Sequence, residues 1–186
     1  MIINNKIILG IDPGTVVMGY AVIEVCGDRV SIASMDVLKL GGTKDIYARL
    51  EMIHSKVNAL ISQHQPNTFA IEAPFFGKNV QSMLKLGRAQ GVAMAAALAR
   101  QLPIIEYAPK KVKQSVTGNG NASKEQVAKM LMTLFALTEL PKLLDATDAL
   151  AVALCHHYQK GPAKTGSASW ETFLRQNPNR IKTIAK

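Results

Sequence analysis

Four carboxylates stand where apolar segments of the chain begin or end. Asp12 lies in Ile-Asp-Pro-Gly-Thr, directly after an apolar, β-branched run. Glu72 closes the short apolar stretch Thr-Phe-Ala-Ile-Glu. Asp145 and Asp148 are three residues apart before Ala-Leu-Ala-Val-Ala-Leu, a spacing that puts both on one helix face. Each has an ordinary reading when taken singly. Asp12 suits a turn, Glu72 an exposed strand end, and the aspartate pair an N-cap with a first-turn companion. Taken together they suggest chemistry, because sites in α/β sheets form beyond the carboxyl ends of strands. If Asp12 and Glu72 end neighbouring strands and the last helix starts beside them, the four converge. Carboxylates ~4 Å apart repel by ~1 kcal/mol in water and by ~4 kcal/mol at an effective dielectric of 20. Such a cluster needs cations or raised pKa values. Oxygen-only ligands suit Mg2+ or Mn2+, and a metal pair held by carboxylates in a basic protein fits phosphodiester hydrolysis.

The chain is strongly basic. Its 186 residues carry 22 Lys and Arg against 13 Asp and Glu, a formal charge of +9, with a pI near 9.7. That surplus predicts a polyanionic partner, and nucleic acid comes before an anionic membrane because no polybasic amphipathic helix stands out. Lys78, Lys85, Arg88 and the run Lys110, Lys111 and Lys113 are candidates to grip phosphates, although a single lysine is more often merely solvated. Phe75 and Phe76 lie between Pro74 and Gly77-Lys78-Asn79, which predicts a loop whose aromatics could stack on bases; the ordinary alternative is core packing. Gly87, Gly91 and Ala95 recur every four residues and permit close helix approach, against the chain's own sheet or against a second copy. No apolar run reaches the ~20 residues that span a bilayer, and the first residues lack a signal-peptide cleavage site. A cytoplasmic protein without membrane contact is expected. Cys26 and Cys155 form no CxxC pair and are expected to be reduced core thiols. The four histidines have no metal-ligand spacing with them.

Positioning these residues falls to a regular succession of elements. Residues 6–11, 19–25 and 29–37 predict three antiparallel strands, with Gly27-Asp28 as a hairpin signal. Residues 45–64 repeat apolar positions at helical period. Strands are predicted at 68–72 and 104–107 and a long helix at 80–100. Ser123 and Gln126 form a capping box for a helix through Leu134, and Asp145 opens a last helix. The order β-β-β-α-β-α-β-α-α predicts an α/β fold: a mixed five-stranded sheet, three antiparallel strands then two parallel, with helices on both faces. Residues 1–160 would form one domain. Residues 161–186 are polar and basic and read as a loosely ordered tail, in which Trp170, Phe173 and Leu174 could dock one helical turn.

Several segments, in this order, resemble the RuvC family, the Holliday-junction resolvases of bacteria. They are Gly-Ile-Asp-Pro-Gly-Thr with Gly-Tyr at 10–20, Ala-Ile-Glu at 70–72, the Lys-Asn to Gly pattern at 78–91, Val-Lys-Gln at 112–114, and Asp-Ala-x-Asp-Ala-Leu-Ala at 145–151. The resemblance covers about the first 160 residues. It implies a ribonuclease-H-like architecture and a catalytic, metal-holding quartet of Asp12, Glu72, Asp145 and Asp148. It also implies two Mg2+ ions per subunit, with Mn2+ as a substitute, and paired cuts in four-way junction DNA that leave 5′-phosphate and 3′-hydroxyl ends. An aromatic wedge falls on Phe75, with Phe76 as its rival because Pro74 departs from the family pattern. Lys113 and Lys124 match lysines near the scissile strand. A homodimer joined partly through the Gly87, Gly91, Ala95 helix and partnership with the RuvA–RuvB branch-migration complex are implied as well. A different enzyme class shares Asp-x-Gly-Thr, namely sugar kinases and actin-like ATPases. They need two such lobes to enclose ATP, so no nucleotide cofactor is expected of this chain. A junction-binding scaffold without catalysis is the non-enzymatic alternative, and the complete quartet weighs against it.

Overall fold

Strand β1 (Lys6–Asp12) lies at the centre of a five-stranded sheet and decides where everything else sits. The computed structural model describes residues 6–74, 79–138 and 144–159. β1 pairs antiparallel with β2 (Val17–Cys26), which pairs antiparallel with β3 (Arg29–Lys39). On its other side β1 pairs parallel with β4 (Thr68–Glu72), and β4 pairs parallel with β5 (Ile104–Tyr107). The order β3-β2-β1-β4-β5 is therefore mixed, three antiparallel strands followed by two parallel ones, as the pattern predicted. Side chains of β1 and β4 are buried on both faces. Ile8 and Ala70 belong to one core, while Leu9, Ile11, Phe69 and Ile71 belong to the other. Near-continuous apolar runs are what doubly covered strands require.

Helices α1 (Ile46–His64) and α2 (Val80–Leu98) cover the Leu9 face. Helices α3 (Pro109–Thr117), α4 (Lys124–Phe135) and α5 (Asp145–Tyr158) cover the Ile8 face. The Ser123/Gln126 capping box closes as predicted. α5 is buried almost all round from Ala146 to His156, and the small side chains of Ala146, Ala149, Ala151 and Ala153 let it lie close on the sheet. Two strand glycines permit this. A Cβ on Gly10 would lie 2.4 Å from the Ala149 carbonyl oxygen, and one on Gly19 would lie 1.9 Å from that of Asp145. At its far end α5 is tied down by His156, which is 2.8 Å from the Tyr107 hydroxyl and 3.0 Å from the Lys6 ammonium.

Three expectations change. Helix α3 was not foreseen, because Lys-Lys-Val-Lys-Gln-Ser-Val-Thr offers only Val112 and Val116 as buried apolar positions. Proline at its first turn and Gly118 in the left-handed conformation at its end define it instead. Cys155 is a buried free thiol, but Cys26 is exposed at the β2–β3 hairpin and is not a core residue. Asp145 is not an N-cap: Leu144 holds that position, and among the described residues no side-chain cap hydrogen bond is made there. Phe75, Phe76, Lys78 and the 161–186 tail with Trp170, Phe173 and Leu174 lie outside the described residues. Among the described residues no helix is long and apolar enough to cross a membrane.

Candidate metal centre and phosphate-facing surface

The side-chain alternation of a strand settles which carboxylates can meet. Counting outward from Ile8, the Ile8 face also takes Gly10 and Asp12; counting from Ala70, it takes Glu72. Parallel pairing of Ile11 with Ile71 sets Asp12 and Glu72 level at the strand ends. Asp12 also pairs with Gly19, and the backbone of Asp145 rests on Gly19. The close seat of α5 thus delivers its first turn to the end of β1. Carboxylate oxygens of Asp12, Asp145 and Asp148 lie within 4.8 Å of one another. Glu72 stands outside that trio but lines a cleft with Asp12, together with Pro13, Ala73, Pro74 and Leu86. Sequence spacing had suggested that the four converge, and the fold brings three into one ligand-sized group with the fourth at its edge.

Their electrostatics match the crowding. Burial pushes the Asp12 carboxyl up to about 8, and the charges of Glu72 and Asp148 push the same way. Burial raises Glu72 to about 7, helped by Asp148 and opposed by Lys124 and Lys113. Asp148 is also raised by burial, against the hydrogen bond and charge of Lys124. Lys124 and Asp148 form an ion pair. Burial works against the Lys124 charge, but Asp148 outweighs it and holds the ammonium above its usual range. Lys124 reaches the site because the capping box starts α4 beside α5. Lys113, on α3, acts on Glu72 and Asp148 by charge alone. The donor set is oxygen-only, and a divalent cation would offset the burial and the acidic neighbours that hold a proton on Asp12. The residues present therefore fit a hard metal ion.

Two supporting features escaped the sequence reading. Gln90, 5 % exposed on α2, donates to Glu106 Oε2 at 2.9 Å and to the Glu72 carbonyl at 3.5 Å, which ties α2 to the ends of β4 and β5. Gly10 and Gly19 set the depth of α5, and the signal was available, since glycine inside a strand often marks close backbone approach. Of the remaining expected residues, Gly87, Gly91 and Ala95 are exposed, and a Cβ at Gly87 or Gly91 would meet nothing within 4 Å. The stripe does not pack against its own sheet. Exposed Val80, Leu84 and Leu98 extend it along α2. Lys85, Arg88, Lys110 and Lys111 are exposed, and Lys111 lies beside Cys155 in the second half of α5.

The family model described as Crossover junction endodeoxyribonuclease RuvC matches residues 8–156. A protein of that description from Cytophaga hutchinsonii is 55 % identical over 180 residues, covering 97 % of this chain and 90 % of the relative. One from Bacteroides fragilis is 54 % identical over 184 residues, covering 97 % and 98 %. Among solved structures, T. thermophilus RuvC in complex with Holliday junction substrate superposes with a TM-score of 0.77 at 32 % identity, over 82 % of this chain and 93 % of that one. The yeast mitochondrial Holliday junction resolvase Ydc2, at 16 % identity and a TM-score of 0.61 over 81 % and 80 %, shares the fold.

Proposed function

The chain belongs to the RuvC family of crossover junction endodeoxyribonucleases, and we propose on that premise that Asp12, Glu72, Asp145 and Asp148 are its catalytic and metal-holding residues. The protein is a structure-specific endonuclease that resolves four-way DNA junctions in recombination and repair. The observation that carries the assignment of residues is the meeting of Asp12, Asp145 and Asp148 within 4.8 Å at the end of the central strand. These carboxylates and Glu72 would hold two Mg2+ ions, with Mn2+ able to substitute. Divalent cations there would acidify the attacking water and neutralise charge that develops on the phosphate and the leaving oxygen. In-line attack by water on phosphorus breaks the bond to the 3′ oxygen, which leaves 5′-phosphate and 3′-hydroxyl ends.

The chain's own groups do the binding and alignment. Lys124 pairs with Asp148 and Lys113 acts by charge on Glu72, so both ammonium groups would be near enough to hold the scissile phosphate. Lys78 and an aromatic at Phe75 or Phe76 follow Glu72 in sequence, where they would reach the crossover and stack on its bases. Two such sites across a two-fold axis would cut two opposed strands. The outward stripe Gly87, Gly91, Ala95 supports a homodimer formed through α2. We assign residues 1–160 to the nuclease domain and 161–186 to a basic tail. The RuvA–RuvB complex is the partner and the bacterial cytoplasm the location that this reading entails.

The test is direct. Purified protein with Mg2+ is incubated with a synthetic four-way junction and, separately, with a linear duplex. Paired cuts confined to the junction, with products that ligase reseals, are expected. Equal cutting of the linear duplex, or products that ligase cannot seal, would overturn the reading.

A further inference from the structure

A cavity of about 330 Å3 opens on the Leu9 face of the sheet, at the same end as the carboxylates. Its wall comes from the loop after β1 (Thr15, Val16), the head of α1 (Arg49, Ile53) and the head of α2 (Ser82, Lys85). Lys44, just before α1, completes the rim. Three cations and two hydroxyls thus face an aliphatic floor. Among the described residues none of the three cations is paired with a carboxylate, since the one ion pair there joins Lys124 to Asp148. Arg49 is fixed in place: Nε donates to the Thr43 carbonyl and Nη1 to the Thr15 carbonyl, at 2.9 Å. A guanidinium has five N–H donors, so three are left over on a group that is already immobilised.

We propose that this cavity is a second phosphodiester subsite, which holds the backbone of the DNA beside the strand being cut. Lys44, Lys85 and Arg49 would take the phosphate oxygens, Thr15 and Ser82 would donate hydroxyls, and the deoxyribose would lie on Val16 and Ile53. The inference rests on the nuclease reading, and position supports it. Thr15 is three residues after Asp12, and Lys85 adjoins Leu86, which lines the catalytic cleft. A continuous strand whose scissile phosphate lies at Asp12 would then run over the strand ends to this rim on the other face. The preformed clamp on Arg49 would fix the register of the DNA without reading its bases.

The test compares wild type, Lys44→Ala, Lys85→Ala and the double variant. Arg49 is left alone because it also braces two loops. The control is Arg29→Ala/Lys129→Ala, which removes the same charge from exposed positions on the β2–β3 hairpin and on α4. Junction affinity is measured by anisotropy without Mg2+ across a KCl series. The double variant should bind about tenfold more weakly, and its slope of log K against log salt should flatten by about 1 to 2; the control should change far less. Junctions with one neutral methylphosphonate in turn at each phosphate near the cut then locate the contact. Wild type should be weakened at a phosphate other than the scissile one, and the double variant should be indifferent to that substitution. Equal effects in the double variant and the control, or the same methylphosphonate profile in both proteins, would overturn the subsite. Inorganic phosphate that stabilises wild type but not the double variant, with no such position in the junction scan, would assign the cavity to a free anion and equally overturn it. Failure of the wild type to cut junctions with Mg2+ would sink the nuclease reading separately, because the binding arms contain no metal.

Discussion

Asp12 gives the clearest handle on the chemistry, because its carboxyl is raised to about 8 by burial and by its acidic neighbours. Between about pH 4 and 8 the unfolded chain has released this proton while the folded chain keeps it, so the folded state binds more protons and stability falls as pH rises. Melting temperature without metal should therefore drop from pH 5 to pH 8, and Mg2+ should recover most of the loss at pH 8. Asp12→Asn should flatten both effects. A wild-type melting temperature that rises with pH and ignores Mg2+ would show that the acidic group holds no cation. The same coupling predicts that cutting increases with pH at low Mg2+, with a midpoint that moves to lower pH as Mg2+ is raised, because metal and proton compete for the same oxygens. Asp12→Asn, Glu72→Gln, Asp145→Asn and Asp148→Asn should each lower cutting by more than about 100-fold yet leave junction binding intact in gel shifts. Near-normal cutting by Asp12→Asn would refute the quartet. These residue types and spacings were visible in the sequence, but the ion pair of Lys124 with Asp148 was not, since it depends on how α4 lies beside α5.

At the scale of elements, the seat of α5 on the sheet decides whether the carboxylates meet. Gly19→Ala would place a methyl group 1.9 Å from the Asp145 carbonyl oxygen, so the helix must lift. Overpacking of this kind costs about 1–3 kcal/mol. Because the displaced turn carries Asp145 and Asp148, cutting should fall by a larger factor than stability does. Chemical denaturation together with junction cleavage below the melting range measures both, and a loss of stability with unchanged cutting would separate this packing from the site. The strand glycines signalled that contact in the sequence, but which helix they receive is a property of the tertiary fold. Periodicity located the strands and the long helices because each buries a regular apolar face. It failed for α3, whose sequence is mostly solvated and whose limits are set by Pro109 and Gly118 rather than by a stripe. The Lys44 and Lys85 cavity was equally illegible, since its rim joins residues 15 to 85, which only the sheet order brings together.

For the whole molecule, charge and the proposed two-fold symmetry bear on the encounter with DNA. With a net charge of +9, junction affinity should weaken steeply as KCl is raised, and a flat salt dependence would remove phosphate contact as its basis. Gly91→Leu, at an exposed position where an added Cβ meets nothing within 4 Å among the described residues, should leave circular dichroism unchanged. It should halve the mass seen by light scattering and turn paired cuts in a cruciform plasmid into single nicks. Persistence of a dimer with paired cuts would place the interface elsewhere. The wedge of α5 against the first strands also has a consequence in time. Asp145 leaves the ribosome 145 − 12 = 133 residues after Asp12, and at ~5–20 residues per second that delay is roughly 7–27 s. Throughout it, the slot above Gly10 and Gly19 waits for a helix that has not been made. If Asp145 and Asp148 hold the metal, a growing chain can therefore build most of its sheet and still be chemically harmless to the chromosome, because the last of the described helices to be synthesised is the one that would arm it.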